Sequence, residues 1–161
     1  MDRLLPDLCA PIVPGVSLGG FRLGEHIANH TKLILKTWKD DQRYMRVINP
    51  MEVRYTFPGS VAVGVDLLTG RIFKLSARDA YHGSLLGKIT VGMPCKQAKE
   101  NVPKLYFDET HSLLRIPDEE GVCLEVAEED PLEETVWNSK IDSITIIETT
   151  IYQEMRCRQW E

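Results

Sequence analysis

The chain has 161 residues, 43% of them hydrophobic and 27% charged, a composition that excludes long disorder and collagen-like structure. That length fits one domain, able to bury roughly 68–70% of the surface its unfolded form exposes. A net charge of −5 argues against nucleic acid as the partner of the whole molecule, and no apolar run approaches the roughly 18 residues of a membrane-spanning helix.

Residues 1–16 hold Pro6, Pro11 and Pro14 and predict an irregular arm. Asp2, Asp7 and these prolines break the apolar run that a secretory signal needs, and Leu8 stands where a lipobox requires a small residue before Cys9. Cys9, Cys95, Cys123 and Cys157 are scattered without a CxxC pair, so reduced thiols and a cytoplasmic location are expected.

Next comes an internal repeat. Leu18-Gly19-Gly20-Phe21-Arg22-Leu23-Gly24 recurs at a spacing of 68 as Leu86-Gly87-Lys88-Ile89-Thr90-Val91-Gly92. Each stretch reads as a short strand ending on a glycine, where a helix can begin. Ile27, Thr31, Ile34, Leu35 and Trp38 then predict a helix from about Glu25 to Trp38, with Asp40 and Asp41 as its polar exit. In the second copy Pro94 suits a first helical position, Ala98 and Val102 supply the apolar face, and Pro103 stops the helix.

Strands follow each helix. Val53, Tyr55 and Phe57 alternate before a Pro58-Gly59 turn; Val61, Val63 and Val65 alternate next, and Thr69-Gly70 leads into Ile72–Leu75. In the second copy Leu114 and Ile116 precede a turn over 117–121, Val122, Leu124 and Val126 alternate, and Ile141, Ile144 and Ile146 close the unit. Ile72 and Leu75 match Ile141 and Ile144 at a spacing of 69. The expectation is an α+β domain over 1–161 built of two similar units, about 17–85 and 86–151. Each has one helix and three or four antiparallel strands, with the helices on one face of the sheet. Residues 152–161 form a tail that frays or adds a short helix.

Several motifs carry little weight. Gly15-Val16-Ser17-Leu18-Gly19 fits the G-x-S-x-G elbow literally, but a proline-broken arm precedes Ser17 in place of a parallel strand. His26 and His30 stand four apart, yet Ile27 replaces the glutamate of a zinc protease helix and no third ligand is near in sequence. His82 and His111 fall in predicted loops without a local acid–base partner. The Asn29-His30-Thr31 sequon lies in a predicted helix, and Gly19, Gly20 and Gly24 match no phosphate-loop fingerprint. No catalytic residue, metal or cofactor is assigned.

Charge is the departure from the ordinary. Residues 1–85 carry 11 Lys/Arg against 8 Asp/Glu, a balance of +3, and residues 86–161 carry 8 against 16, a balance of −8. Asp118, Glu119, Glu120, Glu125, Glu128, Glu129, Asp130, Glu133 and Glu134 follow one another with no Lys or Arg between them, and Trp137 comes next. A solvated acidic loop is the plain reading. A binding surface is the sharper one, because the longest loop of a repeat is where binding residues concentrate and an aromatic beside it offers an anchor.

The tandem strand–Gly–helix–strand units, with the opening Ile89-Thr90-Val91-Gly92-Met93, resemble the β-lactamase-inhibitor-protein-like fold over roughly residues 17–151. They resemble in particular the small cytosolic immunity proteins that neutralise contact-dependent or type VI toxins. The resemblance implies a non-enzymatic cytoplasmic protein that binds one cognate toxin domain with a basic surface, a basic nuclease above all, and occludes its active site. Partner-binding residues are then expected at Glu119, Glu120, Glu128, Glu129, Asp130, Glu133, Glu134 and Trp137. A scaffold or small-ligand module, and a hydrolase using Ser17, are the alternatives.

Overall fold

The two valine-rich runs at the middle of the chain build the centre of one large sheet, whose strands the computed structural model describes together with the rest of residues 6–40, 44–57 and 60–158. A hairpin comes first, β1 (Ser17–Leu18) with β2 (Phe21–Arg22). Gly19 and Gly20 turn it at φ +65° and +89°, a backbone that side chains with a Cβ rarely adopt. A 3-10 turn (Ile27–His30) runs into α1 (Thr31–Asp40). Four strands follow as a meander: β3 (Met45–Asn49), β4 (Glu52–Phe57), β5 (Val61–Asp66) and β6 (Ile72–Arg78). The second unit repeats the order with α2 (Cys95–Asn101), β7 (Tyr106–Asp108), β8 (Leu113–Arg115), β9 (Val122–Val126) and β10 (Ile141–Ile147). The predicted Pro58-Gly59 turn and the Asp41 exit lie outside the described residues, as do the first five and last three positions of the chain.

All eight long-sheet strands are antiparallel, in the order β3-β4-β5-β6-β10-β9-β8-β7. Two four-stranded meanders therefore meet at β6 and β10. Ser76 faces Thr145 in that ladder, and the two are 69 residues apart, the spacing at which the sequence repeats. A position facing its own counterpart is what a twofold arrangement of two units requires. Their hydroxyls bond at 2.8 Å in a buried setting.

Backbone bonds recur between the units as well. Gly24 N–H donates to Ile72 O, and Gly92 N–H to Ile141 O, both at 2.7 Å. Ile72 N–H donates to Glu25 O (2.8 Å) and Ile141 N–H to Met93 O (2.9 Å). Ile27 N–H reaches Gly70 O (2.8 Å), and Cys95 N–H reaches Ser139 O (2.9 Å). One alignment detail changes: Leu18 is fully buried, but its buried counterpart is Leu85, while Leu86 is 43% exposed. Leu85 bridges Ile89 across a turn one residue longer than the Gly19-Gly20 turn, with Leu86 at φ +55°.

The main core lies between one sheet face and the helices of the two units. Val63, Val65, Leu75, Ile144, Leu124 and Leu114 meet Leu33 and Ile34 of α1 and Cys95 and Ala98 of α2. The tail forms a further helix, α3 (Thr149–Arg158), on the opposite face. There Ile151 and Met155 pack on Phe73 in a separate small cluster, and Arg158 pairs with buried Asp66 at 2.6 Å.

Two helical details differ from expectation. The first helix begins as a 3-10 turn because Glu25 and Ile27 are pinned to the β5–β6 turn, so regular α geometry starts only at Thr31. Pro94 occupies the N-cap of α2 and not its first turn.

Candidate functional site

Between β9 and β10 the chain makes its long excursion, closed at the base by Ala127 N–H to Lys140 O at 3.0 Å. Two inward residues fix its shape: Pro131 is buried, and Val136 is fully buried in a 3-10 turn (Val136–Asn138). Leu132 O accepts from the N–H groups of Thr135 and Val136, and Asp130 takes φ +50° at the bend. With those residues turned in, Glu128, Glu129, Asp130, Glu133 and Glu134 are all exposed. Among the described residues, Glu133 alone of the five has a side-chain partner, the Trp137 indole N–H at 3.4 Å. The remaining four form a field of uncompensated negative charge.

Trp137 serves the fold as much as the surface. It is half-buried, packs against the main core, and lies under the Lys99 ammonium of α2, 5.5 Å from the ring centroid. The apolar group offered outward among the acids is Leu132, 63% exposed, beside a shallow groove shared with the β7–β8 turn. In the sequence Leu132 stands as an apolar residue between Asp130 and Glu133.

The fold does not gather all eight predicted residues. Glu119 and Glu120 lie in the turn entering β9, whereas the other six follow its exit, so a five-residue strand of about 15 Å separates the two sets. Glu119 is half-buried with its backbone in the turn, and Glu120 is exposed at the rim of a cleft on the open sheet face. Asp118 is paired with Lys104 at 3.0 Å, a cation distant in sequence.

The other singled-out residues have local roles. His26 caps the 3-10 turn, its Nδ1 accepting from Ala28 N–H at 3.0 Å. His30 points elsewhere, to Glu25 Oε1 at 2.6 Å and against the Phe21 ring at 4.7 Å. The His30 side chain is packed, 10% exposed. No group of three or more metal-ligating side chains occurs among the described residues. Ser17 is a β1 residue whose backbone pairs with Val13 and Arg22. His111 has a partner after all: its Nδ1 stands 2.8 Å from Asp108 Oδ2, which also accepts from Arg115 Nε at 2.8 Å. Those bonds, His111 first, hold the Asp108 carboxyl below its ordinary range. All four cysteines are free thiols. Burial pushes Cys95 up to about 11 and raises Cys123.

No protein-family model matches the chain, and no curated protein matches it. Among solved structures it is similar to a cysteine-rich secretory protein from Staphylococcus aureus subsp. aureus Mu50, with 11% identity and a TM-score of 0.46. That match covers 91% of this chain and 49% of the other, so the chain spans about half of that protein's length. No described helix is long and apolar enough to cross a membrane.

Proposed function

We propose that this protein is a non-enzymatic immunity protein of the bacterial cytoplasm that binds a cognate toxin domain with a basic surface and covers its active cleft. A basic nuclease is the toxin class whose phosphate-binding groove best complements the loop. The observation that carries the reading is the pinned loop of 127–140, where Glu128, Glu129, Asp130 and Glu134 stand exposed without partners among the described residues. A rigid acidic field steers a basic partner and excludes like-charged ones. Exposed Leu132 supplies apolar contact at its centre.

The test is affinity capture from native extract at low and high salt, with the Glu128→Lys/Glu129→Lys/Glu134→Lys variant in parallel. A single partner retained by the natural protein, lost by the variant and inhibited one-to-one once purified supports the reading. Equal retention by both proteins places the interface elsewhere. The ligand-module alternative has one observation in its favour, the cleft on the open sheet face.

A further inference from the structure

The sheet face opposite α1 and α2 carries small side chains at its centre, and α3 covers one end of it. Between α3 and strands β8, β9 and β10 lies a cleft of about 460 Å³. We propose that this cleft is a binding site for a small organic anion with a flat apolar body, an arylcarboxylate in chemical class.

Three cations converge on it from separate elements: Lys74 from β6, Arg115 from β8 and Arg156 from α3. Lys74 is half-buried, and among the described residues neither it nor Arg156 has a hydrogen-bonding or ion-pair partner. A cation on a cleft wall without a bonded counter-ion favours an anion placed beside it. Arg115 is held in place by Asp108 through Nε while its Nη1 reaches the Cys123 sulfur at 3.6 Å. Cys123 lies within reach of two of these cations, since Arg115 and Lys74 both pull its thiol downward against the larger effect of burial, with Glu125 opposing them.

Two carboxylates share the cleft, and among the described residues neither forms an ion pair with the cations. Glu125 is engaged by the Ser143 hydroxyl at 2.9 Å, and Glu120 stands exposed at the rim. His111 is turned to Asp108. The walls supply the apolar half of the recognition. Leu113 and Ile147 are half-buried, and the Tyr152 ring, 40% exposed, is stacked on Phe73 with centroids 6.2 Å apart. An aromatic body laid along these groups puts its carboxylate toward Lys74 and Arg156. The volume lies in the range of small-molecule sites, roughly 300–1,000 Å³. Because the Arg158–Asp66 pair and the Ile151/Met155 cluster fix α3, the wall is formed before any ligand arrives.

The test reads the thiol at the site. In a Cys9→Ser/Cys157→Ser background, Cys95 is fully buried and Cys123 is the accessible thiol. Its alkylation by iodoacetamide is followed against rising 2-naphthoate, the neutral 2-naphthamide, and a tripeptide ending in a free phenylalanine carboxylate. The expected result is protection by naphthoate about tenfold stronger than by the amide, reduced about tenfold by Lys74→Glu or Arg156→Glu. Lys74→Met keeps the stem and removes the charge; it gives the same loss if Lys74→Glu fails to fold. A tripeptide that protects better than naphthoate keeps the site and assigns its anion to a polypeptide end. Equal protection by acid and amide, protection unchanged in the charge variants, or none up to about 10 mM overturns the proposal.

Discussion

Tyr81 joins three segments through one hydroxyl. It accepts from Gly19 N–H at 2.9 Å and donates to Ala10 O at 2.7 Å, so the arm, the first hairpin and the strand exit share a buried point. Burial pushes its pKa up to about 12 and so keeps the hydroxyl neutral and able to donate, with the Gly19 bond partly opposing the shift. Tyr81→Phe leaves an amide and a carbonyl without partners and is expected to cost about 1–3 kcal/mol. Urea unfolding at unchanged m-value measures it, and a loss below about 0.5 kcal/mol would count against the role. Asp66 makes a second residue-scale prediction. Burial disfavours its charge, but bonds from Arg158, Thr69 and the Leu68 N–H outweigh burial and lower its pKa. A lowered folded value means the stabilisation is present above the unfolded pKa of about 3.9 and is lost as pH falls through the folded value. The stability gap between the natural protein and Asp66→Asn should therefore be full at about pH 6 and close as calorimetry is carried below about pH 4. A gap constant across that range contradicts the assignment.

The seam between the two units is a single ladder, β6 with β10, and Ser76 and Thr145 are its central pair. Replacing one of the two strands a buried hydroxyl, while replacing both removes donor and acceptor together. Ser76→Ala or Thr145→Val alone should each destabilise by about 1 kcal/mol, and the double variant by clearly less than their sum. Strict additivity in thermal unfolding would show that the hydroxyl bond contributes nothing to the seam. Elements of this kind were legible where alternation was strong: β5 reads directly from Val61, Val63 and Val65, all buried. The edge strands were not. Met45, Val47 and Ile48 of β3 are 39–64% exposed and show no two-residue period, and β7 is three residues long. Pairing with the neighbouring strand makes both, and a single strand's sequence does not display its neighbour. On α1 the stripe was misplaced: Leu35 and Trp38 are exposed, while Thr37 is buried. A 3-10 residue advances about 120° where an α-helical one advances about 100°, so the four-residue opening turn rotates the face by roughly 80°. The acidic run was legible as charge, but its division between the two ends of β9 depends on strand direction. The cleft was not legible, because Lys74, Arg115 and Arg156 come from three elements that only the sheet order brings together.

At the scale of the molecule the charge is lopsided, +3 over residues 1–85 and −8 over 86–161, and the pinned loop concentrates the negative end. Long-range charge acts on how often partners meet in a productive orientation, whereas desolvated apolar contact acts on how long they stay together. These two contributions are separable in the partner complex. Reversing Glu128, Glu129 and Glu134 to Lys moves the net charge from −5 to +1. With a basic partner it should lower the association rate by about 100-fold at low salt, leaving the dissociation rate within a few-fold. The same variant should flatten the salt dependence of association, since the screened field is the one removed. Leu132→Ala should do the opposite, leaving association and its salt slope unchanged while raising the dissociation rate, because Leu132 is the exposed apolar group amid the acids. Surface plasmon resonance over a series of ionic strengths reads all four quantities. Triple reversal that changes dissociation alone would mean that the acids make close contacts and do not steer. If neither variant alters either rate, the loop lies outside the interface and the partner is held by another face of the protein.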